Sequence, residues 1–445
     1  YISVRNLGAI YEGLLENKLR VVDAAAGKVE LINDKGERKA SGSYYTPDYI
    51  VEYIVQHTLE PVLEERQARF ETAMDRIADL RRQLADPRKT GQVGLLRQQL
   101  EEAERDAREA FLGIKVCDPA MGSGHFLVNA VDHLTDGIIQ RMQAYQDAHP
   151  EVEWAWNPIN KLIDAVRGQI LAEMGRQGID LYAERLDDTA LLTRLVMKRC
   201  IYGVDLNPLA VELAKLSLWL HSFTVGAPLS FLDHHLRWGD SLLGSDVRTV
   251  QREIKASDKG GAVQLGLFAG PFAGLLDLTA LMTEVAEQAD ATLADVRQSA
   301  ETFAQFQRQL TPYKQVLDLW VSQHFGNMAA REFLTLYGDE VLPALRGQER
   351  VGEPYSAAIE RARELWREKR FFHWDLEFPE VFVDLHKRDW AKEPGFDALV
   401  GNPPYDILAE KERREDLSNV MHFFESVSRF QPALGRKLDL YRLFA

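Results

Sequence analysis

Hydrophobic positions in the first quarter of the chain follow mainly a helical period. A short helical pattern at 7–16 precedes VELINDKGERKA at 29–40, whose alternation and central Asn-Asp-Lys-Gly predict a hairpin. The polar turn SGSYYTP at 41–47 leads into a periodic helix from Ile50 to Leu63. Arg, Glu, Gln and Ala dominate 64–110 around the break DPRKTGQVG, which predicts two charged antiparallel helices. We expect a solvated hairpin projecting from the core, with nucleic-acid or partner contact as the alternative.

Four apolar segments farther along the chain each end in a polar loop. They are FLGIKVCDPAMGSGHF at 111–126, IYGVDLNP at 201–208, LRWGDSLLG at 236–244 and FDALVGNPPYDI at 396–407. Each is typical of a strand followed by a loop, and the first two continue into helical patterns. Open α/β sheets bind ligands at the carboxyl ends of their strands. The four units therefore predict an α/β domain with a site at that edge.

The same pattern divides the chain into five parts. Residues 137–198 have a mainly helical pattern, and 245–370 show helical periodicity with Gly and Pro breaks, typical of a large insertion. The predicted parts are an N-terminal helical region at 1–63, a charged helical hairpin insertion at 64–110, the first half of the α/β domain at 111–244, a helical insertion at 245–370 and the continued α/β domain at 371–445.

Composition adds limits rather than a function. The chain has 445 residues, 46% of them hydrophobic and 27% charged, which suits a soluble protein of two or three domains. It contains no apolar run of about 18 residues and no signal-peptide pattern, so we expect a cytoplasmic protein without membrane contact. Cys117 and Cys200 lie in apolar stretches without spaced partners, which predicts core residues rather than metal ligands or a disulfide.

The net charge counts against a nucleic-acid binder. It is −15 at pH 7, whereas phosphate binding requires clustered Lys and Arg. Whole-chain charge does not exclude a local basic patch, and a further domain could carry the basic surface. The chain begins with Tyr1 rather than Met and stops inside the helix-like LDLYRLFA, so we expect it to be a piece of a longer protein.

The first candidate ligand loop is rich in glycine. Gly122 and Gly124 allow positive φ, so that a ligand can lie against main-chain N–H groups where a helix begins near His125. The loop is not a phosphate P-loop, because the Gly-Lys-Ser/Thr ending is missing. A tight structural turn is the alternative.

Two carboxylates end the next two predicted strands. Asp205 could accept hydrogen bonds from a ribose diol, or it could cap the following helix. Asp240 could accept from the exocyclic amine of a bound adenine, or it could serve only as a turn residue.

The fourth loop, NPPY at 402–405, indicates the acceptor. Its two prolines fix the backbone and hold the carbonyl groups in place. Asn402 Oδ1 and the Pro403 carbonyl could accept both hydrogens of an exocyclic amine and leave its lone pair free. Tyr405 offers a ring on which an extruded base could stack.

Taken in order, these segments resemble the gamma class of DNA adenine-N6 methyltransferases. The resemblance rests on SGSYYTP, DPAMGSGHF, YGVDLNPLAVELAKLSLWL, GDSLLG, FHWDLEFPEVF and GNPPY. The chain is most similar in these motifs to the large methylases of type IIG restriction-modification enzymes and of BREX and DISARM phage-defence systems. The resemblance covers most of the chain from Leu7 to Phe444, apart from the two helical insertions. It implies a Rossmann-like S-adenosylmethionine-dependent fold, with a partly parallel sheet and helices on both faces.

The resemblance also implies a role for each matching residue. Asn402, Pro403, Pro404 and Tyr405 would form the methyl-transfer site. The cofactor-binding residues would be Tyr45, Thr46, Pro47, Asp118, Pro119, Ala120, Gly122, Gly124, Phe126, Asp205, Leu206, Asp240, Ser241 and Asn402. S-adenosylmethionine is the expected cofactor, and no metal is required. The partners would be double-stranded DNA, whose target adenine is flipped out, and proteins of a defence system.

Family members continue beyond the segment that here spans 439–444 into more strands and a target-recognition domain. We therefore expect such a region beyond residue 445, and we expect that 1–445 alone is not the autonomous enzyme. A protein glutamine methyltransferase is one alternative, because an amide also fits NPPY. A catalytically silent scaffold that binds cofactor or DNA is another. The carboxylates of FHWDLEFPEVFVDLHK lack a nuclease arrangement and are interpreted as a structural lead-in to the fourth strand.

Overall fold

A computed structural model describes residues 17–23, 28–33, 46–179, 186–257, 274–384, 387, 389–405, 417–434 and 440–444. Its strands are β1 Asn17–Asp23, β2 Lys28–Asn33, β3 Val116–Asp118, β4 Ile201–Asp205, β5 Leu236–Trp238, β6 Val383–Asp384, β7 Asp389–Trp390 and β8 Ala398–Leu399. The helices are α1 Asp48–Ala85, α2 Val93–Leu112, α3 His125–Ala148, α4 Pro158–Arg176, α5 Asp188–Cys200, α6 Pro208–His221, α7 Val247–Ser257, α8 Leu275–Glu287, α9 Leu293–Ser322, α10 Met328–Tyr337, α11 Val341–Leu345, α12 Tyr355–Lys369, α13 Trp374–Glu377, α14 Pro379–Phe382, α15 Ser418–Ser426 and α16 Leu440–Phe444. None of the helices within these ranges is long and apolar enough to cross a membrane.

The four predicted strand-and-loop units do form one parallel sheet. Its order is β5-β4-β3-β8, and every neighbouring pair is parallel. The chain proceeds from β3 through β4 to β5 on one side and then returns to place β8 on the other side of β3. Strand order therefore reverses between β3 and β8, which is where open sheets bind ligands. A small parallel sheet among many helices is compatible with the predicted α/β class.

The side chains of the sheet alternate between two hydrophobic cores, one on each face. Val116 and Ile201 belong to the large core that α1 to α5 build on one face. Their neighbours Cys117 and Tyr202 belong to an aromatic core on the opposite face, together with Phe378. This alternation follows from the two-residue period of a strand. Both cysteines are buried and unpaired, as predicted.

The described N-terminal residues form a hairpin upstream of the predicted turn. β2 pairs antiparallel with β1, which precedes it, and the backbone register pairs Leu19 with Leu31 and Val21 with Val29. VELIN is therefore the second strand of a hairpin with a partner upstream that the sequence analysis overlooked. The predicted hairpin around Asn-Asp-Lys-Gly stays a prediction. Residues 34–40, and the helical pattern at 7–16, lie outside the described residues.

The charged helical hairpin is present, but it does not project from the core. Helix α1 continues without a break through the predicted boundary at 64, and α2 packs back along it. Phe70, Met74 and Ile77 of α1 are buried in the large core with Phe111 of α2. Composition misled the prediction, since one apolar stripe at helical spacing decides packing even where most positions are charged.

The predicted insertion at 245–370 is helical in its described part and has its own core. Phe306, Leu317, Phe333 and Val341 are among its fully buried residues. Buried charges attach it to the rest of the molecule: Lys198 Nζ on α5 lies 2.7 Å from Asp290 Oδ1, with both side chains almost fully buried. The insertion is therefore anchored against the helix that precedes β4.

Candidate active site

The glycine loop begins where β3 ends. Gly122 and Gly124 adopt φ values of 54° and 83°, and α3 begins at His125, as predicted. The Met121 N–H donates to the Val204 carbonyl (3.0 Å), which joins the loop to β4. A Cβ on Gly124 would lie 3.1 Å from that of Ala214, whereas one on Gly122 would meet nothing within 4 Å. Gly124 thus permits close helix packing, and Gly122 faces open space.

Asp205 is bound to the glycine loop and does not cap a helix. Its Oδ2 accepts from the Gly122 N–H (2.9 Å) and its Oδ1 from the Asn207 N–H (2.7 Å). The cap of α6 is Asn207, whose side chain accepts from the Leu209 N–H (2.9 Å). The predicted alternative of Asp205 as the N-cap is therefore wrong. The fold uses this carboxylate to tie two sheet-end loops together.

Asp118 is a buried carboxylate beside Asp205. Its side chain is 1% exposed, and Oδ1 accepts from the Ala120 N–H (3.0 Å). Burial raises the pKa of Asp118 to about 8, with the charge of Asp205 adding to the effect and the Ala120 bond opposing it. Burial also raises the pKa of Asp205 to about 6, against two backbone hydrogen bonds. Both groups favour a nearby positive charge, which would restore their ionised forms.

The loop after β5 is joined to the glycine loop. Asp240 Oδ1 accepts from the Leu242 N–H (3.0 Å), which folds the turn of GDSL. The Ser241 hydroxyl donates to the Pro119 carbonyl (2.8 Å). Asp240 is therefore a turn residue as well as a candidate ligand, and Ser241 fixes its loop beside the first one.

The NPPY loop leaves β8 on the other side of β3. The Val400 N–H donates to the Cys117 carbonyl (3.0 Å), and Gly401 passes directly over the carboxylate of Asp118. Asn402 Nδ2 donates to the Thr46 hydroxyl (3.0 Å), and the Tyr405 hydroxyl donates to Asn402 Oδ1 (2.5 Å). Thr46 and Asn402, which are 356 positions apart, thus meet where the strand order reverses between β3 and β8.

The structure brings most predicted site residues to this one edge. Thr46, the 118–124 loop, Asp205, Asp240, Ser241 and Asn402 are linked by the contacts above. Leu206 and Pro47 are exposed, and Tyr405 is 61% exposed. Phe126 instead packs in the large core, where it is 5% exposed. Tyr45 lies outside the described residues.

Sequence reasoning missed two tryptophans that support these loops. The Trp238 indole N–H donates to the Leu206 carbonyl (2.9 Å), and the Trp374 indole N–H donates to the Ser241 carbonyl (3.0 Å). The Arg370 guanidinium lies 3.8 Å from the centre of the Trp238 ring. Both tryptophans stand inside quoted motifs, RWGD and FHWD, but an indole has no local pattern that reveals its acceptor.

Comparison with known proteins identifies the family of the chain. The family model described as Eco57I restriction-modification methylase matches residues 199–445, more than half of the chain. The chain therefore belongs to the Eco57I restriction-modification methylase family. It is also 25% identical over 433 residues to a Methanocaldococcus jannaschii protein whose assigned name is type II restriction enzyme and methyltransferase. That match covers 87% of this chain but only 30% of the relative. No solved structure matches the chain.

Proposed function

We propose that this chain is the catalytic region of a site-specific DNA methyltransferase of a restriction-modification or phage-defence system. In this proposal it transfers a methyl group from S-adenosylmethionine to N6 of a flipped-out adenine in double-stranded DNA. Membership of the Eco57I family supports a DNA methyltransferase. The observation that carries the finer proposal is the bond between Asn402 and Thr46, because it joins the predicted transfer loop to the predicted cofactor segment.

The residues at the sheet edge suit this cofactor. S-adenosylmethionine, when bound, supplies a methyl group on a positively charged sulfur. A Cβ on Gly122 would meet nothing within 4 Å, so a ligand has room to approach the glycine loop just before helix α3 begins. The buried carboxyls of Asp118 and Asp205 have raised pKa values, so a cationic ligand is a favourable neighbour for them. Asp205 already accepts two backbone bonds, but its oxygens keep further lone pairs for ribose hydroxyls.

Asn402 would orient the acceptor amine. Its Nδ2 is held by Thr46, which turns Oδ1 toward Tyr405. One Oδ1 lone pair accepts from the Tyr405 hydroxyl, and the other can accept from an adenine N6 hydrogen. The Pro403 carbonyl would take the second hydrogen, Pro404 would hold the turn, and the exposed Tyr405 ring would stack on the base. The chain's contribution is positioning and stabilisation of charge developing on nitrogen.

The partners follow from the same proposal. DNA is the substrate, and a target-recognition region and proteins of a defence system are proposed outside this chain. Membership of a BREX or DISARM system stays a prediction. Because the chain spans 30% of the length of its relative, the activity of the whole protein is also part of the proposal.

The test is transfer of a labelled methyl group from S-adenosylmethionine to unmethylated DNA by the full-length protein, with nucleosides identified by mass spectrometry. We expect N6-methyladenine from the wild type and a loss of about 10²–10³-fold in kcat for Asn402→Ala. The control is Asn419→Ala, an exposed asparagine of α15 outside the site, which should match the wild type. A methyl group found on cytosine, or on glutamine of a protein substrate, would refute adenine N6 as the acceptor. Cofactor binding without any transfer would favour the silent scaffold.

A further inference from the structure

The loop after β5 is shaped by one short segment of the chain. We define the GDS loop as 239–247 and the template segment as 370–375. Five hydrogen bonds join them: Asp240 N–H to the Arg370 carbonyl (2.8 Å), Phe372 N–H to the Leu243 carbonyl (2.7 Å), Trp374 indole N–H to the Ser241 carbonyl (3.0 Å), Ser245 N–H to His373 Nδ1 (3.2 Å) and Val247 N–H to Asp375 Oδ2 (2.8 Å). The GDS loop is thus bound along its whole length.

Close packing prevents the two segments from shifting. A Cβ on Gly244 would lie 1.9 Å from the Phe372 carbonyl oxygen, and one on Gly239 would lie 2.6 Å from the Phe372 ring. The two glycines therefore allow the template segment to approach the loop as closely as backbone permits. Any displacement of the template segment must move the GDS loop as well.

A buried polar contact joins the template segment to α9 of the helical insertion. His373 Nε2 lies 3.0 Å from Asp318 Oδ1 on α9, and the two side chains are 2% and 6% exposed. His373 Nδ1 lies 3.2 Å from the Ser245 nitrogen and 3.3 Å from the Ser245 carbonyl oxygen, and we assign the Nε2 proton from the carboxylate of Asp318 that it faces. The imidazole thus provides a polar connection from α9 to the GDS loop, beside the apolar packing of Val321 against the cluster that contains Leu242 and Leu243.

We propose that Asp318 is a positioning residue for the GDS loop, acting through His373, so that the helical insertion sets the geometry of the cofactor site. This rests on the proposed function, in which Asp240 of that loop binds the cofactor adenine. Asp318 itself does not touch the cofactor. In this role, the insertion at 245–370 affects the affinity for the cofactor and not the methyl-transfer step.

The variants separate positioning from plain stability. Asp318→Leu removes the acceptor and leaves the buried His373 N–H without a partner, whereas Asp318→Asn keeps an acceptor oxygen at the same place. Trp374→Phe removes only the indole donor to Ser241. The control is Phe333→Leu, which loosens the core of the insertion at a residue outside the core cluster that contains Leu242 and Leu243.

The experiment uses the full-length protein and two readouts. For Asp318→Leu and Trp374→Phe we expect the KM for S-adenosylmethionine to rise about tenfold, with kcat at saturating cofactor and the KM for DNA unchanged, and Asp318→Asn should restore most of the affinity. Amide hydrogen exchange, which needs no cofactor, should be faster at Leu242 and Leu243 in Asp318→Leu but not in Phe333→Leu.

Equal effects of Phe333→Leu and Asp318→Leu in both readouts would overturn the positioning role. A fall in kcat with an unchanged cofactor KM would overturn it as well. Faster exchange in Asp318→Leu together with a wild type that binds no S-adenosylmethionine would uphold the positioning of the loop and refute the proposed function instead.

Discussion

Gly401 offers the sharpest test of how the site is packed. A Cβ at this position would lie 2.6 Å from Asp118 Oδ1, 3.0 Å from Cγ and 3.3 Å from Oδ2. All three atoms belong to one carboxyl group, which is buried and bonded to the Ala120 N–H. Gly401→Ala therefore forces a methyl group against a side chain that has little room to retreat.

The overlap sets the expected magnitude. Forcing a methyl group into packed surroundings costs about 1–3 kcal/mol. The backbone adds to this, because Gly401 has a φ of 157°, which L residues rarely adopt, and such strain costs on the order of 1 kcal/mol. We expect Gly401→Ala to lower the free energy of unfolding by about 2–4 kcal/mol.

A double-mutant cycle isolates the contact. Asp118→Ala deletes all three clashing atoms, so the cost of Gly401→Ala in that background should fall to the backbone part of about 1 kcal/mol. The free energy of unfolding is measured by urea denaturation. Gly168→Ala in α4, where a Cβ meets nothing within 4 Å, is the matched control and should raise it by about 0.5–1 kcal/mol. An equal cost of Gly401→Ala with and without the Asp118 carboxyl would refute the reasoning.

Two further predictions concern buried charges. The pKa of Asp118 is about 8 in the folded protein, against an ordinary 3.8, so the folded state holds a proton that the unfolded state loses. The free energy of unfolding should therefore fall as pH rises from about 4 to 8, by up to about 1.4 kcal/mol per pH unit from this group. Asp118→Asn should flatten that slope, as measured by urea denaturation at several pH values. An unchanged slope would exclude a raised pKa of Asp118. Lys198→Met removes the cation paired with the fully buried Asp290 and leaves the Arg194 guanidinium as a neighbouring positive charge. The same assay should show a loss of about 3–5 kcal/mol, which Asp290→Asn recovers in part; a loss below about 1 kcal/mol would contradict a paired buried charge.

The parts of the fold that the sequence predicted are those with local signals. Each sheet strand is a short apolar run that stops at Asp118, Asp205, Asp240 or the 401–405 turn, so both the strands and their polar ends are visible in the sequence. The order of the loops predicted one shared edge, because parallel strands end on the same side of a sheet.

Long-range contacts account for the rest. Nothing near Thr46 or Asn402 indicates that their side chains meet across 356 positions. The same applies to Asp318 and His373, which are 55 positions apart, on different elements. The length of α1 was missed for another reason: charged residues dominate its second half, while the stripe that buries it occupies few positions.

The two ends of the helical insertion lie side by side, since the Asp240 N–H bonds to the Arg370 carbonyl and the next residue, Phe371, forms a parallel bridge with Asp240. The chain therefore leaves the sheet after β5 and returns beside the same position. An excursion with adjacent ends adds little strain to its host, whatever its length. The fold is therefore open to modular exchange at this point: a different folded unit could be grafted between Val247 and Lys369 without reordering the strands, provided that it supplies carboxylates where Asp290 and Asp318 now stand.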